Sequence, residues 1–216
     1  MQVLDVQLNP GESVYTETGG MAWMSNNMQM STNLEGGLGA GLGRMFSGES
    51  LFFTHYTPEG GPGIVTFCME TPGQIVEYNV SNGQSVICQR DAFMVATEGV
   101  EVKAEFTKKL GAGFFGGEGF FLQRISGTGK AWLELPGEIT MMELQAGEQL
   151  KIDPGYLAAF EPTVQYDIRL VKGVKNIFLG GEGLFLAHVQ GPGKVWLQSM
   201  PLSNFVQKIA RYLPKK

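Results

Sequence analysis

One seven-residue phrase is written three times in this 216-residue chain. Gly116-Gly117-Glu118-Gly119-Phe120-Phe121-Leu122 returns as Gly180-Gly181-Glu182-Gly183-Leu184-Phe185-Leu186, and in looser form as Ser47-Gly48-Glu49-Ser50-Leu51-Phe52-Phe53. Copies at a fixed period are structural units that need their neighbours to bury an apolar face. The match extends far beyond the phrase. Val3–Glu12 aligns with Ile75–Gln84 at an offset of 72 residues, and Ile75–Gln84 aligns with Ile139–Glu148 at an offset of 64. Copies two and three keep the 64-residue offset from Gly117 to Gly181 and from Gly129 to Gly193. Copy one is longer, and its surplus falls in Gly- and Pro-rich stretches such as Pro58-Glu59-Gly60-Gly61-Pro62-Gly63, where a repeated β scaffold tolerates insertion. The copies are 1–72, 73–136 and 137–200, expected to build one unit over 1–216.

Within a copy, apolar runs of four to eight residues alternate with turn signals, the pattern of strands rather than helices. In copy two the expected strands are Ile75–Val80, Ser85–Gln89, Ala92–Ala96, Val100–Phe106, Gly119–Ile125 and Lys130–Leu135. Several carry bulky apolar residues on both faces, as Phe120 beside Phe121 does, so both faces require cover. The expected fold is all-β, with three fused β-sandwich modules in a pseudo-threefold arrangement. The tail breaks the pattern. Ser203 as N-cap, apolar residues at 205, 206, 209, 212 and 213, and Pro214 as a stop predict an amphipathic helix over 203–213, with Phe205, Ile209 and Leu213 packed inward.

Composition narrows the function. A formal net charge of −5 with only 17% charged residues argues against a general affinity for nucleic acid or anionic lipid, which reward clustered Lys and Arg. No signal-peptide pattern stands at Met1–Asp5 and no apolar run approaches the roughly 18 residues of a membrane span, so a cytoplasmic protein without a transmembrane segment is expected. Cys68 and Cys88, with no Cys-x-x-Cys spacing, suit a reducing compartment.

Leu34-Glu35-Gly36-Gly37-Leu38, Gly48-Glu49-Ser50-Leu51-Phe52-Phe53 and the closing Gly191-Pro192-Gly193-Lys194-Val195-Trp196-Leu197-Gln198-Ser199 resemble the altered-inheritance-of-mitochondria (mitochondrial biogenesis) family over nearly the whole chain. The resemblance implies β modules like the tryptophan RNA-binding attenuation protein, a short relative of the double-stranded β-helix. It brings no catalytic, cofactor-binding or ligand-binding residue with it.

The residues themselves offer few reactive constellations. The run Gly36–Arg44 has the glycine density of a phosphate loop. It lacks the Lys-Ser/Thr of a P-loop and any βαβ context, and its counterparts at 109–115 and 172–177 mark it as a structural loop. A cupin-type metal site needs clustered imidazoles and a carboxylate, and the two histidines are far apart, so neither metal nor cofactor is expected. His55, Arg124 and His188, however, each follow the repeat glycine by seven residues. Converging on a common axis they would hold an anion; facing outward they are ordinary polar residues. Glu49, Glu118 and Glu182 form a second equivalent triplet, able to bind a hard cation if they converge or to brace a turn if they do not. Trp132 and Trp196 are repeat-equivalent packing residues. No Gly-x-Ser-x-Gly elbow or activated thiol is present, so catalysis is not expected. The leading expectation is a non-enzymatic scaffold or protein-interaction protein, self-associating through its sheet faces into a homo-oligomer. The alternative is a small-ligand or anion-binding module with sites between the repeats.

Overall fold

The computed structural model describes residues 1–17, 20–34, 52–81, 83–108, 120–170 and 185–213. Among the described residues the protein is all-β apart from short 3-10 turns and one C-terminal helix. The first repeat supplies β1 (Val3–Leu8), β2 (Val14–Glu17), β3 (Met21–Met24), β4 (Met28–Leu34), β5 (Phe52–Pro58) and β6 (Gly63–Cys68). The second supplies β7 (Gly73–Val80), β8 (Val86–Gln89), β9 (Phe93–Thr97), β10 (Val100–Lys108), β11 (Phe120–Gly127) and β12 (Gly129–Pro136). The third supplies β13 (Ile139–Leu144), β14 (Gln149–Ile152), β15 (Leu157–Phe160), β16 (Gln165–Leu170), β17 (Phe185–Gln190) and β18 (Gly193–Gln198), and α1 (Leu202–Ala210) follows. Pairing order recurs among these sets: the first, sixth and third strands pair as β1-β6-β3, β7-β12-β9 and β13-β18-β15, and the fourth, fifth and second as β4-β5-β2, β10-β11-β8 and β16-β17-β14.

The chain gathers into two compact units whose boundary cuts through the second repeat. Unit one holds Met1–Gln84, Phe93–Glu101 and Ser126–Glu134. Its sheets are the three-stranded β1-β6-β3 and the six-stranded β4-β5-β2-β9-β12-β7. Alternation along β1 explains the packing: Val6 and Leu8 turn inward while Asp5 and Gln7 stay exposed. They join Val65 and Phe67 of β6 against Val14, Tyr56, Val95 and Trp132 of the larger sheet. Phe67 meets Tyr56 edge-on, with centroids 5.6 Å apart.

Unit two holds Ser85–Ala92, Val102–Ile125 and Leu135–Lys216. Here β10-β11-β8-β15-β18-β13 is the large sheet and β14-β17-β16 the small one. Ile152, Ile168, Ala187 and Val189 of the small sheet pack on Ile87, Leu122, Leu157, Phe160 and Val195 of the large one. Phe160 and Tyr166 stack at 5.2 Å.

In each large sheet, strands from two repeats meet at one seam. Tyr15 of β2 pairs with Ala96 of β9, and Ile87 of β8 with Phe160 of β15. Phe93–Ala96 and all of β15 are buried at every position, so both faces of those strands are covered. Local chemistry also recurs. Glu12, Gln84 and Glu148 each donate a backbone N–H to the carbonyl three residues back, at 2.9, 2.8 and 3.0 Å. The preceding Gly11, Gly83 and Gly147 take φ of +90°, +83° and +83°, the left-handed turn conformation that costs glycine little.

The helix corrects the expectation in two ways. It spans Leu202–Ala210, one residue earlier at its start and three shorter at its end than the 203–213 expected. Its N-cap is Pro201 rather than Ser203, because the Pro201 carbonyl takes the N–H of both Asn204 and Phe205 at 3.1 Å. Nor do Phe205, Ile209 and Leu213 pack inward: no residue of α1 is buried, and those three are 36, 43 and 61% exposed. The helix leans on its unit by the opposite side. Asn204 Nδ2 donates to Tyr156 Oη at 3.4 Å, and Ser203 is the least exposed residue of the helix.

Candidate functional site

The three sequence-equivalent residues His55, Arg124 and His188 sit mid-strand on β5, β11 and β17, each flanked by two partner strands. Their surroundings differ. His55 stands in a row between Tyr15 and Ser31, its ring 5.5 Å from that of Tyr15. Its Nδ1 lies 2.9 Å from Glu98 Oε1, which also accepts the Ser13 hydroxyl at 2.8 Å. Partial burial pulls the Glu98 carboxyl upward, but the hydrogen bonds from Ser13 and His55 and the charge of His55 together hold it below its usual range. His55 is thereby committed to a carboxylate of its own unit.

Arg124 is committed more firmly. Its Nε and Nη2 fork onto the two oxygens of Glu105 at 2.8 and 2.6 Å, and Nη1 donates to Ser85 Oγ at 3.1 Å. The hydrogen bonds and charge of the guanidinium hold Glu105 below the ordinary carboxylate range, and the carboxylate raises Arg124 in turn. With its fork occupied, Arg124 has little left to offer a further anion.

His188 has no such partner. The alternation that sends Leu150, Val189 and Tyr166 into the core sends their neighbours on β14, β17 and β16 to the outer face. Register then lines up Lys151, His188 and Asp167 in one cross-strand row, and Gln149, Gln190 and Gln165 in the next. Gln149 Nε2 donates to Gln190 Oε1 at 2.8 Å, and Arg169 Nε to Asp167 Oδ2 at 2.8 Å. Among the described residues neither Lys151 nor His188 has a side-chain hydrogen bond or ion pair. Together these side chains line an open groove of about 570 Å³. Since Arg169 neutralises Asp167, Lys151 leaves the groove with a surplus positive charge, next to an imidazole able to donate from either nitrogen. That arrangement suits a small anion.

Arg124 and His188 thus lie on different sheets of unit two and face different partners. Glu49, Glu118 and Glu182 lie outside the described residues, as do the glycine-rich runs at 36–44, 109–115 and 172–177. Among the described residues no group of three or more His, Cys, Asp or Glu is placed to hold a metal ion. Lys151, Asp167, Arg169 and the glutamine row were not singled out from sequence. Their signal was the two-residue alternation in Gln149-x-Lys151, Gln165-x-Asp167-x-Arg169 and His188-x-Gln190, which converges only once the pairing register is known.

A family model described as mitochondrial biogenesis AIM24 matches residues 1–200. The chain belongs to the AIM24 family. An uncharacterised protein from Streptococcus pyogenes serotype M6 is 31% identical over 221 residues, covering 98% of this chain and 87% of its own length. The crystal structure of a Streptococcus pyogenes protein matches with a TM-score of 0.79 at 29% identity, over 98% of this chain and 94% of that one. Neither brings a named activity to this AIM24 chain. No helix among its described residues is long and apolar enough to cross a membrane.

Proposed function

We propose that this protein is a non-enzymatic binding module that takes a small anion, a phosphate or carboxylate compound, on the outer face of β14-β17-β16. One observation carries the reading: Lys151 and His188 stand side by side in the groove without partners of their own. A differential-scanning thermal shift with phosphate, sulfate, citrate and other small anions tests it, because a ligand that binds only the native state raises apparent stability. The expected result is a saturable rise in Tm that Lys151→Ala abolishes and that Arg124→Ala, away from the groove, leaves in place. Equal shifts in wild type and Lys151→Ala, or none with any anion, would overturn it.

A second reading, a scaffold or protein-interaction protein, draws support from apolar side chains left at the surface. Trp23 is 55% exposed on β3, and Met30 and Met141 are about half exposed. On this reading sheet faces make contacts between copies in a homo-oligomer of cytoplasmic location, and a charged residue in place of Trp23 dissociates it. Sedimentation of the intact protein as a monomer at micromolar concentration would exclude this. We also propose that the chain is three copies of one six-stranded module, related by a pseudo-threefold axis and shaped like the attenuation protein. The recurring strand order supports the repetition.

A further inference from the structure

The orientation of α1 is unusual for an amphipathic helix. Leu202, Phe205, Val206 and Ile209 recur at the spacing of one helical face, and Leu213 continues it beyond the last turn. Such a stripe ordinarily seals a helix onto its own domain. Here the polar side touches the body through Asn204, and the stripe points away, every member more than a third exposed.

Charge restricts what covers it. The chain as a whole is at −5, yet residues 185–213 contain no Asp or Glu and carry Lys194, Lys208 and Arg211. Among the described residues Lys208 and Arg211 have no ion-pair partner. Both lie on the helix surface away from the apolar stripe. A second copy of the helix laid stripe to stripe would cover the apolar face but leave these cations, on the far side of each helix, without a partner. An anionic bilayer surface meets both demands at once, taking the apolar face into the acyl boundary and the cations at the headgroups. Tyr212, 83% exposed beside the stripe, is a residue type that favours that boundary.

We propose that α1 docks the protein reversibly onto anionic lipid surfaces. The acidic remainder of the chain is repelled from such a surface, so contact is confined to the helix and weakens with salt. The test is co-sedimentation of the full chain with vesicles of phosphatidylcholine alone and of phosphatidylcholine mixed with phosphatidylglycerol. Expected is binding to the mixed vesicles that salt reverses, with little to the neutral ones. Lys208→Gln with Arg211→Gln should lower partitioning about 30-fold. Phe205→Ser with Ile209→Ser should lower it comparably, while thermal unfolding stays near wild type because these side chains are exposed. Absence of binding, equal binding to both vesicle types, or binding that both variants retain would overturn the proposal. So would a concentration-dependent dimer that Phe205→Ser with Ile209→Ser abolishes, since a second copy then covers the stripe.

Discussion

Glu98 and Glu105 are held ionised by neighbours distant in sequence, Glu98 by Ser13 and His55, Glu105 by Arg124. In both, the folded-state pKa lies below the unfolded value. Each therefore contributes stability that is fully present above the ordinary carboxylate pKa and is lost as pH falls through the depressed folded value. The effect is modest because Glu98 is largely exposed and Glu105 partly so, and water screens both. We expect Tm to fall on acidification from neutral pH to about 3, and Glu98→Gln with Glu105→Gln to flatten that fall while lowering Tm at neutral pH. A pH series of unfolding curves on both proteins checks it; parallel curves would show that these pairs do not govern the acid limb.

The elements repeat a small device at their hairpins. A side-chain oxygen accepts the backbone N–H that follows the hairpin glycine: Ser25 from Ile64, Thr97 from Lys130 and Glu161 from Lys194, each at 2.9 Å. Three different residue types do one job, which is why it stays invisible when sequences are matched by identity. Thr97→Val should cost about 1 kcal/mol by removing the acceptor. Glycines in the two kinds of turn should separate clearly. A Cβ at Gly11 meets nothing within 4 Å, so alanine there bears only the left-handed penalty of about 1–2 kcal/mol. At Gly129, φ +145°, the added carbon also runs into the Thr97 hydroxyl, and Gly129→Ala should cost more than Gly11→Ala. Equal losses in denaturant titration would contradict the steric part of this account.

Much at this scale was legible in sequence. The six strands of the second repeat form within two residues of the expected bounds, because alternation and turn residues are local signals. The groove was only partly legible. His188 stood out by its repeat position, but Lys151 and Asp167 reach it through cross-strand register, which no single segment encodes. The helix was legible as an amphipathic stripe. Which side would touch the body was not, since periodicity defines a face and leaves its partner unspecified.

At the scale of the molecule, the sequence repeat and the compact unit are different objects. The second repeat divides its strands, with β7, β9 and most of β12 in unit one and β8, most of β10 and most of β11 in unit two. An isolated 73–136 fragment therefore lacks the first-repeat strand β2 that pairs with β9 and the third-repeat strand β15 that pairs with β8. It should show no cooperative thermal transition, whereas a fragment that melts sharply as a soluble monomer would mean that the repeat is self-sufficient.

That divided repeat also sets the order in which the protein can be made. The chain passes between the units five times, so no single cut in the backbone releases either one whole. Emerging from a ribosome, unit one waits for Glu134 before its last strand exists, and by then only Ser85–Ala92 and Val102–Ile125 of unit two have been made. The larger part of unit two, Leu135–Lys216, follows only then, so unit one has all its residues before unit two does, and a message truncated anywhere before the codon for Glu134 yields no complete unit at all.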